Sequence, residues 1–232
     1  VPCKLVLLDP VIDPKHNLTN TGFKDAVISA TYPIGTRRCR GMVVSIRCKT
    51  WSVANFLPDP DGRPGKLWRD CDNIEGIKRD GMLPRAVFDA NIESHHATAI
   101  ALVVVKVEGF VMSEAPARRA GPKAYPKHVL KGCERAVHMY DYEPWAEFIK
   151  ATGSKEQLWD QCMHADDPRS SPIKSSIWLC TPDIVPFVKA VFGSPPDSLC
   201  NHPDGTHKAL RGTDSMGKYV TASSKCENYS SG

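Results

Sequence analysis

The chain has 232 residues, 41% of them hydrophobic and 24% charged, which is a globular composition and excludes a disordered one. Its longest apolar stretch, residues 97–105, is far short of a bilayer span, so no membrane crossing is expected. A net charge of +4 is too mild to point to nucleic acid as a partner.

In chain order, residues 25–31 (DAVISAT) predict a strand, and residues 42–51 (MVVSIRCKTW) a second one that is β-rich at its start. Residues 57–65 (LPDPDGRPG) hold three prolines and break any regular element. They divide the chain into a β-rich N-terminal segment, residues 1–65, and a main α+β domain, residues 66–232. Residues 97–111 (ATAIALVVVKVEGFV) carry the strongest strand signal, an apolar run without alternation that predicts a central strand buried on both faces. Residues 144–152 predict a helix opened by Pro144 and closed by Gly153. Ser154 and Gln157 form a capping-box pattern that predicts a further helix to about His164. Residues 175–180 (SSIWLC) predict a short strand, Thr181 caps a helix that ends at Gly193, and the tail after Cys200 reads as loop. The fold class expected is α+β, turn-rich and built of short strands and helices, with the five tryptophans in its core.

Nine cysteines, at 3, 39, 48, 71, 133, 162, 180, 200 and 226, are scattered without a C-x-x-C pair. Zinc ribbons and redox motifs need such pairs, so the expectation is a disulfide-stabilised, exported chain, with Cys3, Cys39, Cys48, Cys71, Cys133, Cys162, Cys180, Cys200 and Cys226 as bridge candidates and no metal site. The opposing reading is a set of reduced, mostly buried thiols. The chain starts at Val1, which reads as a processed form, and Asn17-Leu18-Thr19 and Asn228-Tyr229-Ser230 are sequons with Asn17 and Asn228 as acceptors.

The motif of interest is LWRDCDNIEGIKRDGMLPR, residues 67–85, with Trp68-Arg69, Asp70 and Asp72, Ile77-Lys78-Arg79, Gly81 and Pro84-Arg85. His95 and His96 follow, then Gly109-Phe110-Val111-Met112-Ser113-Glu114 and Arg118-Arg119. Over residues 67–119 this order resembles the ADP-ribosyltransferase toxins of the heat-labile enterotoxin and pertussis type. The resemblance implies NAD as cofactor, with Arg69 on its pyrophosphate, Ser113 supporting the pocket and His95 beside it. The chemistry fits those residue types: a planar arginine pairs with pyrophosphate, and a carboxylate near the ribose stabilises the charge that develops on cleavage. The sequence departs from the family where Met112-Ser113-Glu114 replaces a hydroxyl triplet and where no Glu-x-Glu pair follows.

These readings lead to an exported effector or toxin-like protein that enters or meets a host, meets a host protein, and works by binding through a degenerate transferase domain. A disulfide-rich host-protein-binding module without enzymatic ancestry is the alternative. A secreted ribonuclease using Glu93 with His95 or His96 is a distant third, since no surrounding pattern supports that acid–base pair. Arg37-Arg38-Cys39-Arg40 and His202 to His207 read as solvated loops.

Overall fold

The computed structural model describes residues 6, 8, 13–32, 39–46, 50–52, 68–129, 133–164, 175–203, 211–213 and 219–221. Cys3, Cys48, Cys226, Asn228, Arg37, Arg38 and the breaker at 57–65 lie outside these residues.

A four-stranded mixed sheet organises the chain. Its strands are β1 (Gly41–Ser45), β2 (Phe110–Pro116), β3 (Lys155–Asp160) and β4 (Ser175–Cys180), in the order β1-β2-β4-β3. β1 runs parallel to β2, while β4 is antiparallel to both β2 and β3. All six residues of β4 are buried, as a central strand with both faces covered requires. The chain is therefore an α+β protein. The boundary expected at residue 65 falls outside the described residues, while β1 extends the sheet of the main part by pairing with β2.

Helices flank the sheet on both faces. α1 (Thr21–Thr31), α2 (Arg85–Lys106) and α3 (Glu143–Thr152) lie on the side of Val111, Ala115, Ile177 and Leu179. α4 (Val185–Phe192) lies on the other, where Val188 packs with Trp159, Trp178 and Cys180. Trp51 and Trp145 belong to the first core and Trp159 and Trp178 to the second; Trp68 is only half-buried, beneath the Arg79 guanidinium. A small hairpin, β5 (Arg211–Thr213) with β6 (Tyr219–Thr221), lies in the tail expected to be loop.

The region expected as a central strand, 97–111, is mostly helix. α2 starts at Arg85 and buries Val87, Ala90, Ser94, Ala97, Ala101 and Val104, a stripe at three- and four-residue spacing. The apolar run 97–105 holds only the last three of those six positions, and seen alone it has no period. The chain then turns at Glu108, at φ 62, and Gly109 before β2 begins. The strand expected at 25–31 is part of α1, opened by Asn20, whose side chain accepts from the Phe23 N–H.

The helix expected at 154–164 is β3 followed by a single 3-10 turn, Gln161–His164. α3 ends as foreseen at Gly153, in the left-handed region at φ 67. Ser154 then bonds Thr152 Oγ1 through its hydroxyl instead of capping a helix, and the chain reverses into a strand that pairs with β4. Thr181 does not cap α4 either: its Oγ1 accepts from the Val111 N–H, closing the end of β4, and α4 opens at Val185.

Candidate functional site

β1 and β2 run parallel, and polar side chains gather toward their carboxyl ends, where ligands meet open α/β sheets. Glu114 is buried in β2 and accepts from Ser45 Oγ of β1 at 2.9 Å and from Ser176 Oγ of β4 at 2.8 Å, stitching three strands together. Two residues past the end of β2, Arg118 forms a forked pair with Glu156 (2.9 and 2.7 Å) and a further bond to Asp141. Burial works against its charge, but the bonds to Glu156 and Asp141 outweigh that and raise its pKa above the ordinary arginine value.

His138 lies in the same region. Its Nε2 donates to the Pro116 carbonyl at 2.7 Å, and its Nδ1 accepts from the Tyr140 N–H at 3.2 Å, which fixes the neutral tautomer. Burial, and then the charge of Arg118, push its pKa down to about 4. Tyr140 donates to the Ser113 carbonyl at 2.6 Å, and burial holds its phenol well above the usual value.

A second polar group joins His128, Asp160 and Ser175, each no more than 3% exposed. His128 Nε2 lies 3.3 Å from both Asp160 and Ser175 Oγ. A hydrolytic triad needs the two imidazole nitrogens to face opposite partners. Here one nitrogen faces both and Nδ1 has no hydrogen bond, so the group is a buried clasp rather than a nucleophile. Burial tends to raise the Asp160 pKa, but the bonds from His128, Ser175 and the Cys200 N–H prevail and lower it. Beside these groups lies a hollow of about 270 Å³ lined by Arg118, Lys123, Tyr125, Glu156, Gln157 and Leu158 among others. It falls just below the size of pockets that enclose drug-sized ligands.

The residues singled out by the toxin resemblance are placed otherwise. Arg69 is 1% exposed. Its guanidinium lies over Trp51 and donates to the carbonyls of Ile74 (2.7 Å) and Val87 (3.2 Å) and to Thr50 Oγ1 (3.4 Å). Burial lowers its pKa to about 10, leaving it cationic at neutral pH. Asp72 and Asp70 both accept from Arg135, at 2.6 Å each. Ser113 is fully buried, and its hydroxyl has no hydrogen-bond partner. His95 and His96 sit on α2, not on a strand; exposed His95 meets the Tyr142 hydroxyl at 3.1 Å, and half-buried His96 meets the Leu18 carbonyl at 2.7 Å. Arg69 and Ser113 are thus both interior side chains, and neither is offered to solvent. Glu93 is buried on α2 two positions from exposed His95, a spacing that turns the two side chains to different sides of a helix.

Among the described cysteines, Cys39, Cys71, Cys133, Cys162, Cys180 and Cys200 are all thiols. Asn17 Oδ1 accepts from the N–H and hydroxyl of Thr19 in its own sequon. Glu114 and Arg118 were read in sequence only as part of the toxin resemblance, and His138 not at all. Their shared cluster has no local signal, since Glu114 is held by Ser45 and Ser176 from other strands.

Fold and site together define a mixed-sheet α+β protein with helices on both faces and a charged, largely self-satisfied cluster at one sheet end. No protein-family model, no curated protein and no solved structure matches the chain.

Proposed function

We propose that this chain works by binding a host protein, as an exported effector would, rather than by chemistry on a nucleotide. The observation that carries the reading is the outer side of α4. Phe187 is 63% and Val191 50% exposed, one helical turn apart on that side. Exposed apolar side chains grouped in this way are what a protein partner covers. The state of Arg69 supports the same reading from the other side. A guanidinium with its donors on backbone carbonyls and its face on Trp51 is not poised for a pyrophosphate. The likeness to ADP-ribosyltransferase toxins then concerns ancestry and not activity. Disulfide bridges belong to the same proposal, with Cys71 and Cys39 as the described thiols that reach solvent.

Two measurements test it. Titration calorimetry with NAD is expected to give no saturable heat for the oxidised protein; saturable binding by the unaltered chain would restore the nucleotide reading. Proximity labelling in host extract is expected to enrich a partner that Phe187→Glu loses and that Met82→Glu, at an exposed site on another part of the surface, retains. Identical labelling by both variants would remove α4 from the interface.

A further inference from the structure

Cys162, Cys200 and His202 come from two segments that meet beyond the end of β3. Cys162 lies in the 3-10 turn that follows β3, and Cys200 and His202 follow the turns after α4. One residue holds the junction. The Asp160 N–H donates to the Ser198 carbonyl at 2.9 Å, and Asp160 Oδ2 accepts from the Cys200 N–H at 2.7 Å. Ser198 Oγ adds a bond to the Leu158 carbonyl at 2.8 Å. The strand end that launches Cys162 thereby also fixes the backbone of Cys200. As a result Cys162 Sγ, Cys200 Sγ and a ring nitrogen of His202 all lie within 4.8 Å of one another. Cys200 Sγ and His202 Nδ1 are 3.5 Å apart. Cys162 is 1% and Cys200 4% exposed, while His202 is half-buried.

We propose that Cys162, Cys200 and His202 form a zinc site. Tetrahedral zinc with bonds of about 2.3 Å to sulfur and about 2.0 Å to nitrogen sets its ligand atoms roughly 3.5–3.8 Å apart. The Cys200–His202 sulfur–nitrogen spacing already has that value, and the other two need to close by about 1.3 Å at most. Two thiolates and one imidazole suit a borderline-soft divalent cation far better than magnesium or calcium, which require oxygen. Binding converts two thiols to thiolates and releases two protons, so the dication and the two thiolates balance, and His202 binds through Nδ1 as the Nε2–H tautomer. Water takes the fourth position, on the half-open side of His202. Asp160 is a positioning residue here: it holds Cys200 through its backbone and is itself tied to His128 and Ser175.

The test uses the full chain, purified under reducing conditions and stripped of metal. Titration with Zn²⁺ against a chromogenic chelator is expected to show one tight equivalent. Co²⁺ is expected to give the visible bands of a tetrahedral ion and a thiolate-to-metal charge-transfer band sized for two sulfurs. Cys162→Ser and Cys200→Ser should each halve that charge-transfer band and weaken zinc by at least a hundredfold. His202→Ala, at a half-exposed turn that leaves the core intact, should weaken it at least tenfold. Cys71→Ser should change nothing. Absence of a stoichiometric zinc equivalent in the reduced wild-type chain overturns the proposal without reference to any variant. So does full-strength binding in Cys200→Ser, or a peptide map showing a Cys162–Cys200 disulfide in the protein as isolated.

Discussion

The guanidinium carbon of Arg69 sits 3.6 Å from the centre of the Trp51 ring, and both side chains are buried. The arginine holds the 68–77 loop against α2 by donating to Ile74 in the loop and Val87 in the helix. Its removal takes a donor from a buried carbonyl, a half-buried carbonyl and a buried hydroxyl, and leaves a void over the indole. Arg69→Ala is therefore expected to cost roughly 3 kcal/mol or more of unfolding free energy. Arg69→Lys should rescue little, because an ammonium can neither stack flat nor fork between the two carbonyls. Urea denaturation of the two variants checks this, and a loss under about 0.5 kcal/mol, typical of surface substitutions, would show that the contact is incidental.

His138 makes stability depend on pH in a defined direction. Its folded pKa is depressed from 6.5 to about 4, so between those values the unfolded chain holds a proton that the folded chain does not. Stability therefore falls as pH drops through that window, by up to about 1.4 kcal/mol per pH unit and roughly 3 kcal/mol in all, and this contribution is flat above about pH 7. His138→Gln keeps a donor and an acceptor but does not titrate. Denaturation midpoints at a series of pH values should show a steeper acid loss in the wild type than in the variant. Parallel curves would rule out a buried neutral imidazole.

Two glycines of the 67–85 stretch should respond differently to alanine. Gly76 has φ +124, and a Cβ there would meet Val87 Cγ1 at 2.3 Å. Gly81 has φ +78 with nothing within 4 Å. Gly81→Ala is expected to cost about 1 kcal/mol from backbone strain alone. Gly76→Ala adds a clash with the first turn of α2 and should cost at least twice as much. Equal melting temperatures for the two variants would contradict this packing of the loop on α2.

The thiols should sort by burial. Cys180 lies under α4 at 0% exposure, with burial pushing its pKa up to about 12, while Cys71 is exposed. A thiol reagent at pH 8 should modify Cys71 in the native protein at least a hundredfold faster than Cys180, and denaturant should abolish the difference. Mass mapping after brief labelling reads the ratio, and comparable native rates would mean that α4 does not cover β4.

Several elements were legible in the sequence because their signals are local. α3 is written by Pro144 at its start and Gly153 at its end, β4 by a short apolar run, and β1 by the β-rich start of its stretch. Composition supports a globular chain and the mix of predicted strands and helices an α+β one, and four of the five tryptophans expected in the core lie there. Residues 97–105 and 155–160 could not be assigned that way. An apolar run fits a strand or one side of a buried helix equally well, and a capping-box pattern has no force once Gly153 reverses the chain into β3, which pairs with β4. The roles of Arg69, Arg118, His138 and Asp160 belong to tertiary structure alone. Each is fixed by a partner far along the chain, Arg69 by Trp51 and Val87, Arg118 by Glu156, His138 by Pro116, Asp160 by Cys200. A buried charge or ring takes its function from the groups that satisfy it, and only folding brings those groups within hydrogen-bond reach.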